Sequence, residues 1–167
     1  MFIRAGDGTQ LYVRHVKPGD KDLIAKGWLL LSAESQRRRF LAPKPRLTTR
    51  DLKYLTEIDG HDHVALLAVR LDDPRRLIGV ARYVRLPDDP DAAEVAITIA
   101  DDMQGKGIGK SLSILLADEA RGRGVKRFTA AILSDNLPAL RLMETMTQRL
   151  QSRVNHGVSD VVADLAA

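Results

Sequence analysis

Gln104-Gly105-Lys106-Gly107-Ile108-Gly109-Lys110 is the stretch on which the reading of this chain turns. An apolar run, Val95 to Ala100, precedes it, and a segment with Ile108, Leu112, Leu115 and Leu116 at helical spacing follows. Glycines between a strand and a helix let main-chain N–H groups approach an anion closely, and the helix start adds its positive dipole end. The loop therefore reads as a phosphate seat. Two common phosphate loops fail on spacing. A nucleotide-hydrolase loop ending at Gly109-Lys110-Ser111 needs glycine at 104, where Gln104 stands. A dinucleotide fingerprint opening on Gly105 and Gly107 needs a third glycine at 110, where Lys110 stands. Lys106 and Lys110 either add charge-assisted contacts to an anion or are ordinary solvated lysines; for Lys106 the contact is the favoured reading. A glycine turn that merely reverses the chain is the bland alternative, and the flanking strand and helix argue against it.

Upstream of the loop, Val95, Ile97 and Ile99 share one face of a strand and Glu94, Ala96 and Thr98 the other. The first face is core. The second pairs a carboxylate with small side chains, which leaves room for a ligand or a helix. Two further strands, Val64 to Leu71 and Leu77 to Leu86, precede this one across Asp72-Asp73-Pro74 and Pro87-Asp88-Asp89-Pro90, so the three should form an antiparallel meander. Before them come a strand over Gln10 to Val16 and helices over Asp20 to Leu31, Glu34 to Phe40, and Thr48 or Thr49 to about Asp59-Gly60. After the loop the pattern predicts a helix from Gly107 to Arg121, a strand from Val125 to Leu133, a helix from Pro138 to Leu150 capped by Ser134-Asp135-Asn136, and a weak strand from Val158 to Leu165. The fold class is α/β, with a mixed, mostly antiparallel sheet covered by helices on both faces.

The 167 residues, 44% hydrophobic and without repeats, suit one domain spanning 1–167. No apolar run approaches the roughly 18 residues of a membrane helix, and Met1-Phe2-Ile3-Arg4 lacks a secretory apolar core. The chain has no cysteine, which removes disulfides, thiolate metal sites and a thiol nucleophile; the expected location is cytoplasmic. A net charge of +4 suits an anionic partner without naming one.

The order Gln-x-x-Gly-x-Gly between strand and helix resembles the coenzyme A pyrophosphate loop of GNAT acetyltransferases. Taken with Asp7-Gly8-Thr9, Ser35 to Phe40 ("SQRRRF"), Gly79 to Tyr83, Ala93-Glu94-Val95-Ala96, Asp101 to Gly109 and Leu133 to Asn136, it is similar to the catalytic domain of Pat-type bacterial protein lysine acetyltransferases over roughly residues 7 to 140. The resemblance implies the GNAT acyl-CoA N-acyltransferase fold, with acetyl-CoA as cosubstrate and no metal. It implies Glu94 as general base, main-chain bonds from Ile97, Thr98 and Ile99 to the pantetheine, pyrophosphate binding by Gln104, Gly105, Lys106, Gly107, Ile108, Gly109 and Lys110, and an Asn136 contact to the pantetheine arm. From the residues alone, Asn136 reads as a helix cap.

A base is chemically required, because an amine with a reference pKa near 10.4 is almost wholly protonated at neutral pH. Five strand steps from Glu94 to Ile99 span about 17 Å, comparable to an extended pantetheine arm. Glu94 can act directly or through a water. The rival reading makes it an edge-strand charge paired with Arg82 or Arg85. Two departures from the family pattern stand out: no tyrosine lies between Leu137 and Leu150 to serve as general acid, and Glu144 to His156 lacks the usual Gly-Phe signature. Nor does the chain have room for the fused cyclic-nucleotide module that Pat-type enzymes often carry, so regulation of that kind in cis is not expected.

His61 and His63 on a turn, without a distant partner, read as surface loop residues rather than a metal site. Arg37-Arg38-Arg39 reads as a solvated helix face, although a CoA phosphate, nucleic acid or an acidic protein are alternatives. The expected reaction is acetyl transfer to an amine, with a protein lysine ε-amine favoured. A polyamine or aminoglycoside acetyltransferase and a non-catalytic CoA-binding regulatory module are the rivals. Nucleic-acid and membrane partners are not expected. The acceptor, the acyl chain and the oligomeric state, a homodimer included, are not written in the residues.

Overall fold

The computed structural model describes residues 1–147 and 149–165. Eight strands form one sheet in the order β1-β2-β3-β4-β5-β6-β8-β7. These are β1 (Phe2–Arg4), β2 (Gln10–His15), β3 (His63–Arg70), β4 (Leu77–Leu86), β5 (Asp89–Ile99), β6 (Arg127–Leu133), β7 (Leu150–Asn155) and β8 (Val158–Asp164). The helices are α1 (Lys21–Leu29), α2 (Ala33–Phe40), α3 (Thr49–Thr56), α4 (Ile108–Gly122) and α5 (Leu137–Thr145). Every pairing is antiparallel except that of β5 with β6, the two strands joined through α4.

Strand alternation sorts the apolar residues into two layers. On one face, Leu66, Tyr83 and Val95 pack with Leu112 and Leu116 of α4 and Met143 of α5. On the other, Ala65, Leu67 and Val69 pack with Ile24 of α1 and Leu55 of α3. Helices therefore cover both faces, as the pattern anticipated.

The differences from the sequence reading lie at edges. β5 begins at Asp89 rather than Glu94, because Pro87 and Asp88 alone make the turn; Pro90 sits beside a register shift, where a strand tolerates a residue without an N–H. The last helix ends at Thr145, short of Leu150, and Leu150 opens β7. β7 is an outer strand with five of its six residues exposed, so it carries no apolar alternation to read. Its hairpin to β8 turns on His156 and Gly157, both with positive φ, which matches the twist of the two strands. β1 is equally an outer strand and escaped notice. His63 belongs to β3 rather than to a surface loop.

Candidate active site

β5 and β6 are paired over only Ala92–Glu94 and Arg127–Thr129. Beyond that point β5 stays with β4 as far as Ile99 and β6 stays with β8 as far as Leu133, so the two parallel strands part. Past the last β5–β6 pair, Glu94 with Thr129, the β6-facing edge of β5 around Ile97 has no strand partner and lies in reach of a ligand with amide groups of its own. The resulting cleft holds about 460 Å³, lined along one wall by Glu94 to Ile99 and along the other by Ala130 to Ile132, Asn136 and α5.

The glycine loop closes one end. Gly105 and Gly107 have φ of +73° and +79°, and a Cβ added at either would meet no protein atom within 4 Å. These two serve conformation and leave the surface above them clear. Gly109 differs: a Cβ there would lie 3.1 Å from Leu142 Cδ1, so its bareness lets α4 approach α5. Gly107 caps α4 without a side-chain bond, and Ser111 N–H is the first to bond back, to Gly107 O at 3.1 Å. Among the described residues, the N–H groups of Gly105 through Lys110 therefore have no acceptor. Six unbonded donors at a helix N-terminus suit the diphosphate of coenzyme A.

Side chains around the loop are occupied with holding it. Gln104 Nε2 donates to Ile99 O at 3.1 Å, bracing the loop against the end of β5. Asp101 accepts from Ser35 Oγ at 2.7 Å and Ser32 N–H at 2.9 Å, which fixes the start of α2 beside it. Lys106 Nζ reaches Asp7 rather than open space, at 2.7 Å, and its carbonyl accepts from Gly6 N–H. That ammonium holds the Asp7 carboxyl well below the usual carboxylate range. Lys110 is exposed on the cleft rim.

At the other end of the cleft, Glu94 is exposed, and its carboxylate makes no ion pair or hydrogen bond among the described residues. Neither arginine suggested as its partner binds it. Arg85 is held by Asp62 at 2.9 Å and by the carbonyls of Pro90 and Arg123. Arg82 donates through Nη1 to Leu55 O at 3.1 Å and to His63 Nε2 at 3.0 Å. Ala96 and Thr98 follow Glu94 on the same strand face, while Val95, Ile97 and Ile99 pack toward the α4 core; all six border the cleft. Asn136 performs its helix-capping role, with Oδ1 accepting from Ala139 N–H at 3.4 Å; its NH₂ donates to nothing described and lines the cleft. None of the three tyrosines borders the cleft.

The profile of the acetyltransferase (GNAT) family matches residues 31–147, which contain the parted strands, the glycine loop and Asn136. The chain belongs to that family. A relative, the acetyltransferase Pat of Mycolicibacterium smegmatis, is 37% identical over 111 residues, covering 66% of this chain and 32% of Pat. The Pseudomonas aeruginosa acetyltransferase PA5475 is 30% identical over 103 residues, covering 61% of this chain and 55% of its own length. The chain thus spans about a third and about half of these two relatives. Among solved structures, the GNAT domain of S. lividans PAT superposes with a TM-score of 0.88 at 29% identity, over 99% of this chain and 96% of that one.

Two arginines of this GNAT chain lie in surroundings that the sequence reading did not give them. Arg39 is the one member of the Arg37-Arg38-Arg39 run turned inward, its guanidinium 4.6 Å over the Phe40 ring, whereas Arg37 and Arg38 pair with Glu34 at the surface. Arg82 is 4% exposed. The available signal was Arg82's place between Val80 and Val84 on one strand face, a charge inside an apolar alternation.

Proposed function

We propose that this chain transfers an acetyl group from acetyl-CoA to an amine, with a lysine of a protein as the favoured acceptor and Glu94 as general base. The observation that carries the reading is the unbonded run of N–H groups from Gly105 to Lys110 at one end of a cleft whose far end presents an unpartnered carboxylate. The diphosphate would lie on Gly105 to Lys110 and the pantetheine along the freed edge of Ile97 to Ile99, with Asn136 NH₂ opposite. An incoming amine would meet the thioester beside Glu94. The amine nitrogen bonds to the carbonyl carbon, the C–S bond breaks, and the amine proton passes to the Glu94 carboxylate directly or through water. Coenzyme A leaves as the thiolate and takes its proton from solvent.

Charge separates the two acceptor classes. The cleft is lined by Arg38, Arg39, Lys110 and Arg141 against one carboxylate, Glu94. A polyamine would bring several positive charges to this surface, whereas a single lysine brings one. The absence of a tyrosine from the cleft favours a second reading, a module that holds CoA without chemistry.

Purified protein, acetyl-CoA and three acceptor sets (lysine peptides, spermidine and an aminoglycoside), read by mass spectrometry, test the proposal. Acetylated lysine peptide is the expected product. Acetylated small amine alone would reject the lysine reading, and CoA binding in calorimetry with no acetylated product would favour the non-catalytic one.

A further inference from the structure

A second, smaller cavity of about 60 Å³ opens beside the cleft, between β4–β5 and the helices α1 to α3. Arg39, Ala96 and Thr98 line both spaces, so the cavity is a side chamber of the cleft at the middle of β5. Its walls are mostly apolar, with Trp28, Leu31, Phe40 and Leu55 among them, and its two charged residues are Arg39 and Arg82.

Two like charges in an apolar chamber are costly unless paired. These are not paired. Neither guanidinium makes an ion pair among the described residues, and Arg39 makes no hydrogen bond there at all. Arg82 spends Nη1 on Leu55 O and His63 Nε2 and leaves Nε and Nη2 without a described acceptor. Desolvation lowers the proton affinity of both groups, and the charge of Arg39 adds to it at Arg82, whose pKa is pushed down to about 9. Opposing charge near Arg39 comes from Glu94, which acts on it through space without touching it. A core arginine with a purely structural role would be expected to spend its remaining donors on carbonyls or a carboxylate.

We propose that this chamber binds a carboxylate carried by the substrate, held between the guanidinium groups of Arg39 and Arg82. The volume admits a few water-sized groups, enough for a carboxylate and a methylene or two. The carboxylate has two sources: the far end of a dicarboxylic acyl chain on coenzyme A, or an acidic residue beside the acceptor lysine. The first involves the same exchange of C–S for C–N described above, with the distal carboxylate unchanged. The inference rests on the acetyltransferase reading for its substrates but not for its site.

Trp28, the single tryptophan, lines the chamber and reports on its contents without any turnover. Succinate is titrated against chloride at equal ionic strength while Trp28 emission is followed. A saturable change is expected in the wild type and is expected to be lost in Arg39→Gln and in Arg82→Lys, the latter keeping the buried charge so that the fold is spared. Two kcat/KM ratios then locate the source: succinyl-CoA over acetyl-CoA on one lysine peptide, and Asp-Lys over Asn-Lys peptide with acetyl-CoA. One ratio should exceed about ten and fall at least tenfold in Arg39→Gln, as removal of a charge-assisted bond implies. Both ratios compare activities of one preparation, so a loss of folded protein leaves them unmoved. A flat titration, or two ratios near one, overturns the proposal. A saturable titration with no transfer to any acceptor instead places the failure in the acetyltransferase reading.

Discussion

At the glycine-loop end of the cleft, the groups that can meet an anion are main-chain N–H donors, set in place by two residues in the left-handed region. In the side chamber they are two guanidinium groups on long side chains, set in place by the apolar walls that desolvate them. The first device depends on backbone shape, so a substitution damages it by changing φ. The second depends on surroundings, so a substitution damages it by removing or hydrating a charge. Glu94, at the far end of the cleft, belongs to neither device and has a partner in neither.

That separateness gives the largest expected effect. If both devices serve to bind, removing the carboxylate should reduce turnover and leave CoA affinity alone. Glu94→Gln is expected to lower kcat by roughly 10²- to 10⁴-fold at neutral pH, the usual range for a general base, with Kd for CoA unchanged in calorimetry. An equal fall in affinity would assign Glu94 to binding and collapse the separation.

A smaller effect should divide the loop's own glycines. Gly107→Ala forces an alanine into φ near +79°, at about 1–2 kcal/mol, so Kd for CoA should rise roughly 5- to 30-fold if that conformation is what binds. Gly109→Ala meets only the movable end of Leu142, so its Kd should change less, and its cost should appear in the melting temperature. Equal effects on Kd would mean that the loop acts through packing.

Much of this division was legible in the sequence, and the physical reason is locality. Gly105, Gly107 and Gly109 lie within five residues, and the strand and helix beside them announce themselves by alternation and by apolar spacing, so the proposed anion seat could be read from one short window. Glu94 stood out for the same reason, as the one charge on a strand face with Ala96 and Thr98. Arg39 and Arg82 are 43 positions apart by their numbering and share a chamber only because α1, α2 and α3 fold over β4 and β5. No local pattern encodes that, and an arginine in a run of three reads as surface. β1 and β7 were missed for a related reason: outer strands bury little, and burial is what writes a pattern into a strand.

The chamber's electrostatics extend to His63 and predict a moderate effect on stability. Burial, and secondarily the charge of Arg82, lower the His63 pKa from 6.5 to about 4, and Nε2 must be unprotonated to accept from Arg82 Nη1. Between those values the unfolded chain binds a proton that the folded chain does not. The stability linked to His63 is therefore complete above about pH 6.5 and is lost as the pH falls toward 4. Melting temperatures across that window should fall with acidification. His63→Gln keeps an acceptor for Arg82 and cannot titrate, so its slope should be shallower; an identical slope would place the sensitivity elsewhere.

The smallest expected effect concerns the one side chain that ties the loop to the far edge of the sheet. Lys106 Nζ is engaged with Asp7 at 2.7 Å, yet Lys106 also lies in the run of N–H groups without an acceptor among the described residues. Two arrangements are open to it when CoA arrives: the ammonium stays on Asp7 and the loop binds without it, or it leaves Asp7 for a phosphate. Asp7→Asn separates them, since it weakens the competing partner without touching the loop. If the ammonium stays, Kd should move by less than about twofold. If the ammonium moves, Kd should tighten by a few-fold, no more, because an exposed pair is worth little in water. The gain should also fade as salt is raised, since exposed charges are screened. We expect the first outcome, because the Gly6 N–H to Lys106 O bond of 2.8 Å holds the residue in place beside Asp7. A salt-sensitive tightening would add the Lys106 ammonium to an anion seat built of main-chain N–H groups with Lys110 on its rim.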